Sequence, residues 1–256
     1  MSKINSAFNN KKSFIAFLTA GDPSKEKTIE YILEMEKAGA DIIEIGIPFS
    51  DPTAEGPVIQ AANIRALKNG MTTDGVFEIV EAVRKTSNVP LVFLSYLNPV
   101  FHYGYERFFK RCEELSVDGI IIPDLPYEEK KEILPITNKH GVDVISLIAP
   151  TSDNRIQMIA KEATGYIYLV SSMGVTGVRN SINTDLTSIV KTVRTVTDVP
   201  VAVGFGISTP EQAKQMADLS DGVIVGSAIV KIIEKHGDNA NKILFDYVNE
   251  MKNAIK

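Results

Sequence analysis

The sequence predicts an α/β protein: a single (β/α)8 TIM barrel over residues 1–256, with extra short helices. Three observations predict it. Eight short β-branched runs alternate with amphipathic helical segments from end to end. Each run is nearly continuously apolar, as strands buried on both faces of a parallel sheet are. No Gly/Ser-rich linker or break in composition divides the chain, so the eight units belong to one barrel. Periodicity does not report whether a sheet closes, and a doubly wound open sheet is the alternative architecture.

The elements follow in order. Phe14–Leu18 is the first run, followed by the helical pattern Lys25–Lys37. Gly39 stops that helix, and Asp41–Ile45 is the second run. The stretch 47–70 adds a loop and a short helix, Val58–Lys68, before the helix Asp74–Lys85. Leu91–Tyr96 and the helix Gly104–Leu115 come next, then Gly119–Ile122 and Glu128–Lys139, then Asp143–Ile148 and Asn154–Glu162. Tyr166–Val170 precedes a Ser/Gly/Asn-rich stretch at 171–184 and the helix Asp185–Arg194. Val201–Val203 with Pro210–Ala217, and Gly222–Val225 with Ala228–Lys235, complete the eight. Turn signals such as Asn88-Val-Pro90, Asp118-Gly119, His140-Gly141 and Asp221-Gly222 precede the strands. Both long insertions follow strands, which places them at the end where barrel enzymes build their sites.

Bulk composition excludes several function classes. Hydrophobic residues are 44% and charged residues 23% of the 256, an ordinary globular balance. Net charge is -5, and the basic doublets Lys11-Lys12, Lys110-Arg111 and Lys130-Lys131 form no stripe, so nucleic acid is not an expected partner. No apolar run has the roughly 18 residues needed to span a bilayer, and Met1–Lys12 lacks the apolar stretch of a secretory signal. The one cysteine, Cys112, lies in a helical pattern and reads as core; a cytoplasmic location is expected. His102, His140 and His236 are scattered and read as surface or loop residues, with no metal site among them.

The chemistry concentrates at strand ends. Glu44 lies among Ile42, Ile43 and Ile45, where a carboxylate costs free energy unless it is paired or neutral. Such a group is either an acid/base catalyst or a structural carboxylate in a core ion pair. Alternation puts Ile42, Glu44 and Gly46 on one face. Asp51 and Glu55 follow in a loop stiffened by Pro48, Pro52 and Pro57, and two carboxylates in unlike environments can divide acid and base roles. Farther along, Gly174-Val-Thr-Gly177, Gly204-Phe-Gly-Ile-Ser208 and Gly226-Ser227 follow three neighbouring runs. Backbone amides there, with the helix opening after Gly226, suit a phosphate; tight βα turns are the simpler reading of any one of them. Tyr96, Tyr168, Phe17, Leu94 and Phe205 either wall a cavity or fill the core.

With these residues identified, the chain resembles the α subunits of tryptophan synthase, members of the phosphate-binding barrels. The resemblance runs from about Phe14 to Lys235. Its most specific element is Glu44-Ile-Gly-Ile-Pro-Phe-Ser-Asp-Pro-Thr-Ala-Glu-Gly56; Thr19-Ala-Gly-Asp-Pro23, Tyr96-Leu-Asn-Pro99, Pro123-Asp-Leu-Pro126, Ala149-Pro-Thr151 and Val225-Gly-Ser-Ala-Ile-Val230 reinforce it in the family's order.

The resemblance implies retro-aldol cleavage of indole-3-glycerol phosphate to indole and D-glyceraldehyde 3-phosphate. Glu44 would shuttle protons between indole C3 and the 3′-hydroxyl, and Glu55 would take the N1 proton. Tyr168 would hold Glu44, and Thr176 would belong to a loop that closes over substrate. Phe17, Leu94, Tyr96 and Phe205 would line the indole pocket; Gly177, Gly206, Gly226 and Ser227 would grip the phosphate. It also implies a pyridoxal-phosphate-containing β chain as partner in an α2β2 assembly, met by Asp51, Pro52, Asn98, Pro99 and Pro126, with no cofactor or metal in this chain. Two residues depart from the family: Glu55 stands where aspartate is usual and Thr53 where an aliphatic residue is usual. One extra methylene moves a carboxylate by about 1 Å, a shift that can cost roughly 100-fold in rate, so either the loop backbone compensates or the chain is slow on its own; compensation is expected, since the chemistry of the group is unchanged. A non-catalytic activator of a β chain and another phosphate-binding barrel, such as a pentose-phosphate epimerase, are the competing readings.

Overall fold

The structure is a computed structural model that describes residues 3–170, 186–204 and 206–256. Nine strands form one sheet: β1 (Ser13–Thr19), β2 (Ile42–Gly46), β3 (Leu91–Leu94), β4 (Gly119–Ile121), β5 (Asp143–Val144), β6 (Ser146–Ile148), β7 (Ile167–Val170), β8 (Val201–Gly204) and β9 (Gly222–Val225). Their order is β5-β4-β3-β2-β1-β9-β8-β7-β6, with every pairing parallel. The expected run Asp143–Ile148 is thus two strands. β5 pairs with β4 and β6 with β7, and only Ile145 separates them, its N–H donating to Ile120 O at 2.9 Å. The two sheet edges are consecutive pieces of one chain segment, so the sheet closes as an eight-membered barrel.

Alternation along the strands sorts side chains into two layers. Ile15, Ile42, Val92, Ile121, Ile145, Tyr166, Tyr168, Ala202 and Ile224 fill the barrel interior. Their neighbours, among them Phe14, Ile43, Phe93, Ile120, Leu169 and Val223, pack outward beneath the helices. Three helices lie where no periodic segment is expected. Ile4–Ala7 inserts Ile4 and Ala7 into the interior cluster and plugs the N-terminal end of the barrel. Leu97–Tyr103 follows β3, and Asn241–Ala254 packs along Lys25–Ala38 through Leu244, Val248 and Met251. The segment expected as one helix over 128–139 is a 3-10 turn, Tyr127–Glu132, and a short helix, Leu134–Lys139, restarted by Pro135 at its first turn.

The N-terminal rim is fastened by one device used three times. Asp41, Asp118 and Asp221 each stand just before a strand, and each exchanges two hydrogen bonds with one residue of the adjacent strand. Their backbone N–H groups donate to Phe14 O, Leu91 O and Val201 O at 2.9, 2.8 and 2.8 Å. Their carboxylates accept from the N–H of the same residues at 2.8, 3.0 and 2.8 Å. A base completes each: Lys252 at 2.6 Å for Asp41, Arg84 at 3.5 Å for Asp118, and Arg194 for Asp221. The opposite rim is left for chemistry.

Two smaller expectations are settled here. Cys112 is buried, and burial pushes its thiol well above the usual range, as fits a core residue. His140 is not a surface residue: it is 7% exposed, with Nδ1 2.7 Å from Glu113 Oε2 and Nε2 3.2 Å from Glu106 Oε1. An amphipathic ring packs inward when both its nitrogens find carboxylates, which spacing along the sequence does not reveal.

Candidate active site

Glu44 points into the barrel. It shares a face with Ile42 and is 1% exposed. β7 stands diametrically across from β2, and the hydroxyl of Tyr166, at its start, donates to Glu44 Oε1 at 2.5 Å. Burial pushes the Glu44 carboxyl up to about 7, opposed by that hydrogen bond. Among the described residues no basic side chain pairs with Glu44, so there it stands as an isolated acid and not as half of a core ion pair. Tyr168, which the resemblance assigns to Glu44, sits two residues farther along the same face. Its hydroxyl is buried and pushed well up, first by burial and then by the Glu44 charge, but Tyr166 is the residue that makes the hydrogen bond. Alternation makes the two tyrosines equivalent, and only the closed barrel decides which one meets Glu44.

The second carboxylate is held from the helix that follows it. Helix Pro57–Lys68 starts at Gly56 with proline in its first turn, and its buried stripe is Ile59, Ala62, Asn63 and Ala66. Asn63 is 3% exposed, and its Nδ2 donates to Glu55 Oε2 at 2.6 Å. Burial pushes the Glu55 carboxyl up to about 7, opposed by Asn63. The loop carrying it is pinned twice: Ala54 N donates to the Tyr96 hydroxyl at 3.0 Å, and Gln60 Nε2 donates to Glu55 O at 2.7 Å. The Tyr96 ring, 1% exposed, packs against Phe49 with centroids 5.5 Å apart. Tyr96 therefore fastens the Glu55 loop from below. Asn63 carries a legible signal, a polar residue inside an apolar helical stripe.

Phe17 crosses the mouth between its two neighbouring strands. A Cβ on Gly46, at the end of β2, would lie 2.8 Å from Phe17 Cζ, and one on Gly226, just past β9, 3.3 Å from its Cδ1. The ring packs with Ile59, Ala62 and Val230, and Leu94 joins the cluster half-buried. Likewise a Cβ on Gly204 would collide with the Tyr168 hydroxyl. Missing side chains at these strand ends make room for the rings.

A helix start that suits an anion lies beside Phe17. Helix Ser227–His236 opens immediately after β9, with Gly226 as N-cap and no side chain capping its first turn. Its leading amides and dipole suit an anion. Gly206 adopts φ +80°, and among the described residues nothing beyond its chain neighbours lies within 4 Å of a Cβ built there. Gly177, Thr176 and Phe205 lie outside the described residues. Asp51 and Pro52, Asn98 and Pro99, and Pro126 stand on the segments following β2, β3 and β4, three adjacent strands. Asp51, Asn98 and Pro126 are exposed. Phe101, 65% exposed on Leu97–Tyr103, extends the strip. Among the described residues no group of three or more His, Cys, Asp or Glu side chains could hold a metal ion.

Known proteins resemble this chain in sequence and in fold. The family model described as tryptophan synthase alpha chain matches residues 4–256. The tryptophan synthase alpha chain of Lacticaseibacillus casei is 52% identical over 255 residues, covering 100% of this chain and 96% of that one. That of Lactiplantibacillus plantarum is 49% identical, covering 100% and 97%. A crystal structure of the Legionella pneumophila alpha chain superposes with TM-score 0.89 at 37% identity, covering 100% of this chain and 97% of that one. A structure described as the tryptophan synthase a2b2 complex of Pyrococcus furiosus superposes with TM-score 0.85 at 37% identity, covering 94% and 98%. The chain belongs to the tryptophan synthase alpha chain family.

Proposed function

We infer that the chain, as one barrel domain, cleaves indole-3-glycerol phosphate to indole and D-glyceraldehyde 3-phosphate and passes indole to a β chain for tryptophan synthesis. The observation that carries the reading is the isolated, interior carboxyl of Glu44, pushed up to about 7 at the mouth of the barrel. A group with that pKa gives and takes a proton with nearly equal ease at neutral pH. In the reaction, Glu44 protonates indole C3, which interrupts the aromatic ring and places positive charge toward N1. Glu55 accepts the N1 proton and spreads that charge. Glu44, now a carboxylate, removes the proton of the 3′-hydroxyl. The bond between C3 and the carbinol carbon breaks, its electron pair restores the aromatic ring as Glu55 returns its proton to N1, and the aldehyde leaves with the phosphate.

Other parts of the site take supporting roles. Gly206, Gly226 and Ser227 hold the phosphate, Phe17 and Leu94 support the ring, and Tyr168 sits beside the Tyr166–Glu44 pair. To Gly177, Phe205 and Thr176 the family resemblance assigns a phosphate, a ring and a loop role in turn. Asn63 supports the longer Glu55 in place of the usual aspartate. The β chain meets the strip of Asp51, Pro52, Asn98, Pro99 and Pro126, where the exposed Phe101 offers an apolar anchor. Pyridoxal phosphate belongs to the β chain, and this chain works without a cofactor. Among the described residues no helix is long and apolar enough to cross a membrane. A lone buried cysteine suits a reducing compartment, and we place the chain in the cytoplasm. The test is indole release from indole-3-glycerol phosphate, with and without a β chain; absence of release in both would overturn the reading.

A further inference from the structure

We infer that Arg65 is a positioning residue that sets the span between the Glu55 end of the site and its phosphate end, an inference that rests on the function proposed above. Arg65 lies on helix Pro57–Lys68, two residues beyond Asn63, which holds Glu55. Its guanidinium grips Asp22 with both prongs, Nε to Oδ1 at 2.9 Å and Nη2 to Oδ2 at 2.8 Å. Its remaining nitrogen, Nη1, donates to Glu234 Oε1 at 2.8 Å. Asp22 lies in the loop after β1, its side chain 3% exposed, and Glu234 lies on Ser227–His236, the helix whose N-terminus faces the phosphate. One side chain thus joins three mouth elements: the β1 loop, the helix behind Glu55 and the helix behind the phosphate.

Closer to the site the same two helices meet around Phe17 in an apolar cluster that includes Val58, Ile59, Ala62 and Val230. Apolar contact holds surfaces together without fixing how they slide. A planar fork with a bidentate carboxylate partner does fix it, because its hydrogen bonds have direction. Asn69 Nδ2, donating to Pro23 O at 2.7 Å, ties the end of the first helix to the same loop. Arg65, anchored on Asp22 by its fork and bonded to Glu234 through Nη1, therefore supplies the directional link that sets the register of Glu55 against Ser227. Substrate touches both ends and feels that register. Inorganic phosphate touches one end and does not.

This difference separates positioning from general stability. Truncating Arg65 would strand Asp22 as a buried unpaired charge and risk unfolding. The informative variants are Glu234→Ala, which cuts the helix-to-helix link at a half-exposed residue and leaves the Asp22 pair intact, and Arg65→Lys, which keeps the charge but loses the fork. Each is assayed in the assembled α–β complex for kcat/KM with indole-3-glycerol phosphate and for competitive inhibition by inorganic phosphate. A displacement of a fraction of an ångström gives a fall in kcat/KM of about 10-fold in Arg65→Lys and about 3-fold in Glu234→Ala. The phosphate inhibition constant stays within about twofold of wild type. Parallel loss of both quantities, or no change in kcat/KM in either variant, overturns the inference. A wild-type complex that releases no indole overturns the proposed function, and this inference with it.

Discussion

The Tyr166 hydroxyl reaches across the full width of the barrel to donate to Glu44 Oε1 at 2.5 Å. It opposes the burial that pushes the Glu44 carboxyl up to about 7. Tyr166→Phe removes a hydrogen bond that favours the charged form. The limb of the kcat–pH profile that reports Glu44 then moves upward by about one pH unit. Tyr168→Phe, which removes no bond to Glu44, moves it less. A larger shift in Tyr168→Phe would reassign the partner.

The same carboxyl links stability to pH. Its ordinary value is 4.5 and its folded value about 7, so between these the folded state holds a proton that the unfolded chain has lost. Stability falls as pH rises through that window; the cost is absent below it and complete above it. Glu44→Gln removes the cost, stabilising the chain by on the order of 3 kcal/mol at pH 8 and by little at pH 5. Urea unfolding midpoints at the two pH values check this, and a variant destabilised at pH 8 would contradict it.

At the opposite rim, Asp118 accepts Lys3 N–H at 2.7 Å as well as Leu91 N–H, and it is 4% exposed. Asp118→Ala leaves these two donors without their acceptor and removes the carboxylate beside Arg84, which keeps its backbone carbonyl partners, at a cost of about 3 kcal/mol. Because the rim lies away from the mouth, kcat of the folded fraction stays within about twofold of wild type. Urea titration and active-site-normalised turnover together test the division between a stability rim and a chemical one.

Phe101 is a large apolar side chain at 65% exposure beside Asn98 and Pro99. Phe101→Asp places a charge in the strip proposed above to meet the β chain, and we predict that affinity falls by about 10-fold or more. The turnover of the isolated chain does not change. Calorimetric titration with a β chain measures the first quantity and indole release the second; unchanged affinity would move the interface elsewhere.

Much of this was legible in the sequence, and the exceptions share a physical cause. The apolar runs became strands because a doubly buried parallel strand has no polar face to disguise it. Glu44 stood out for the converse reason, as a charge in such a run. The break at Ile145 was not legible, because a strand that changes partners keeps the same apolar pattern throughout. Tyr166 and Tyr168 occupy equivalent positions in the alternation, and the choice between them depends on what stands across the barrel. The helix Asn241–Ala254 carries Leu244, Val248 and Met251 at helical spacing, a signal present beyond the eighth strand. The Arg65 fork joins residues 22, 65 and 234, a separation that no local pattern encodes.

The central claim is that Glu44 and Glu55 together perform the proton transfers of cleavage. The direct measurement is single-turnover indole release from indole-3-glycerol phosphate by the wild-type complex, Glu44→Gln and Glu55→Asn. We predict a loss of at least about 100-fold in each variant, with substrate still bound, since each loses a proton carrier and keeps its hydrogen-bonding shape. Release at the wild-type rate in either variant would contradict the account.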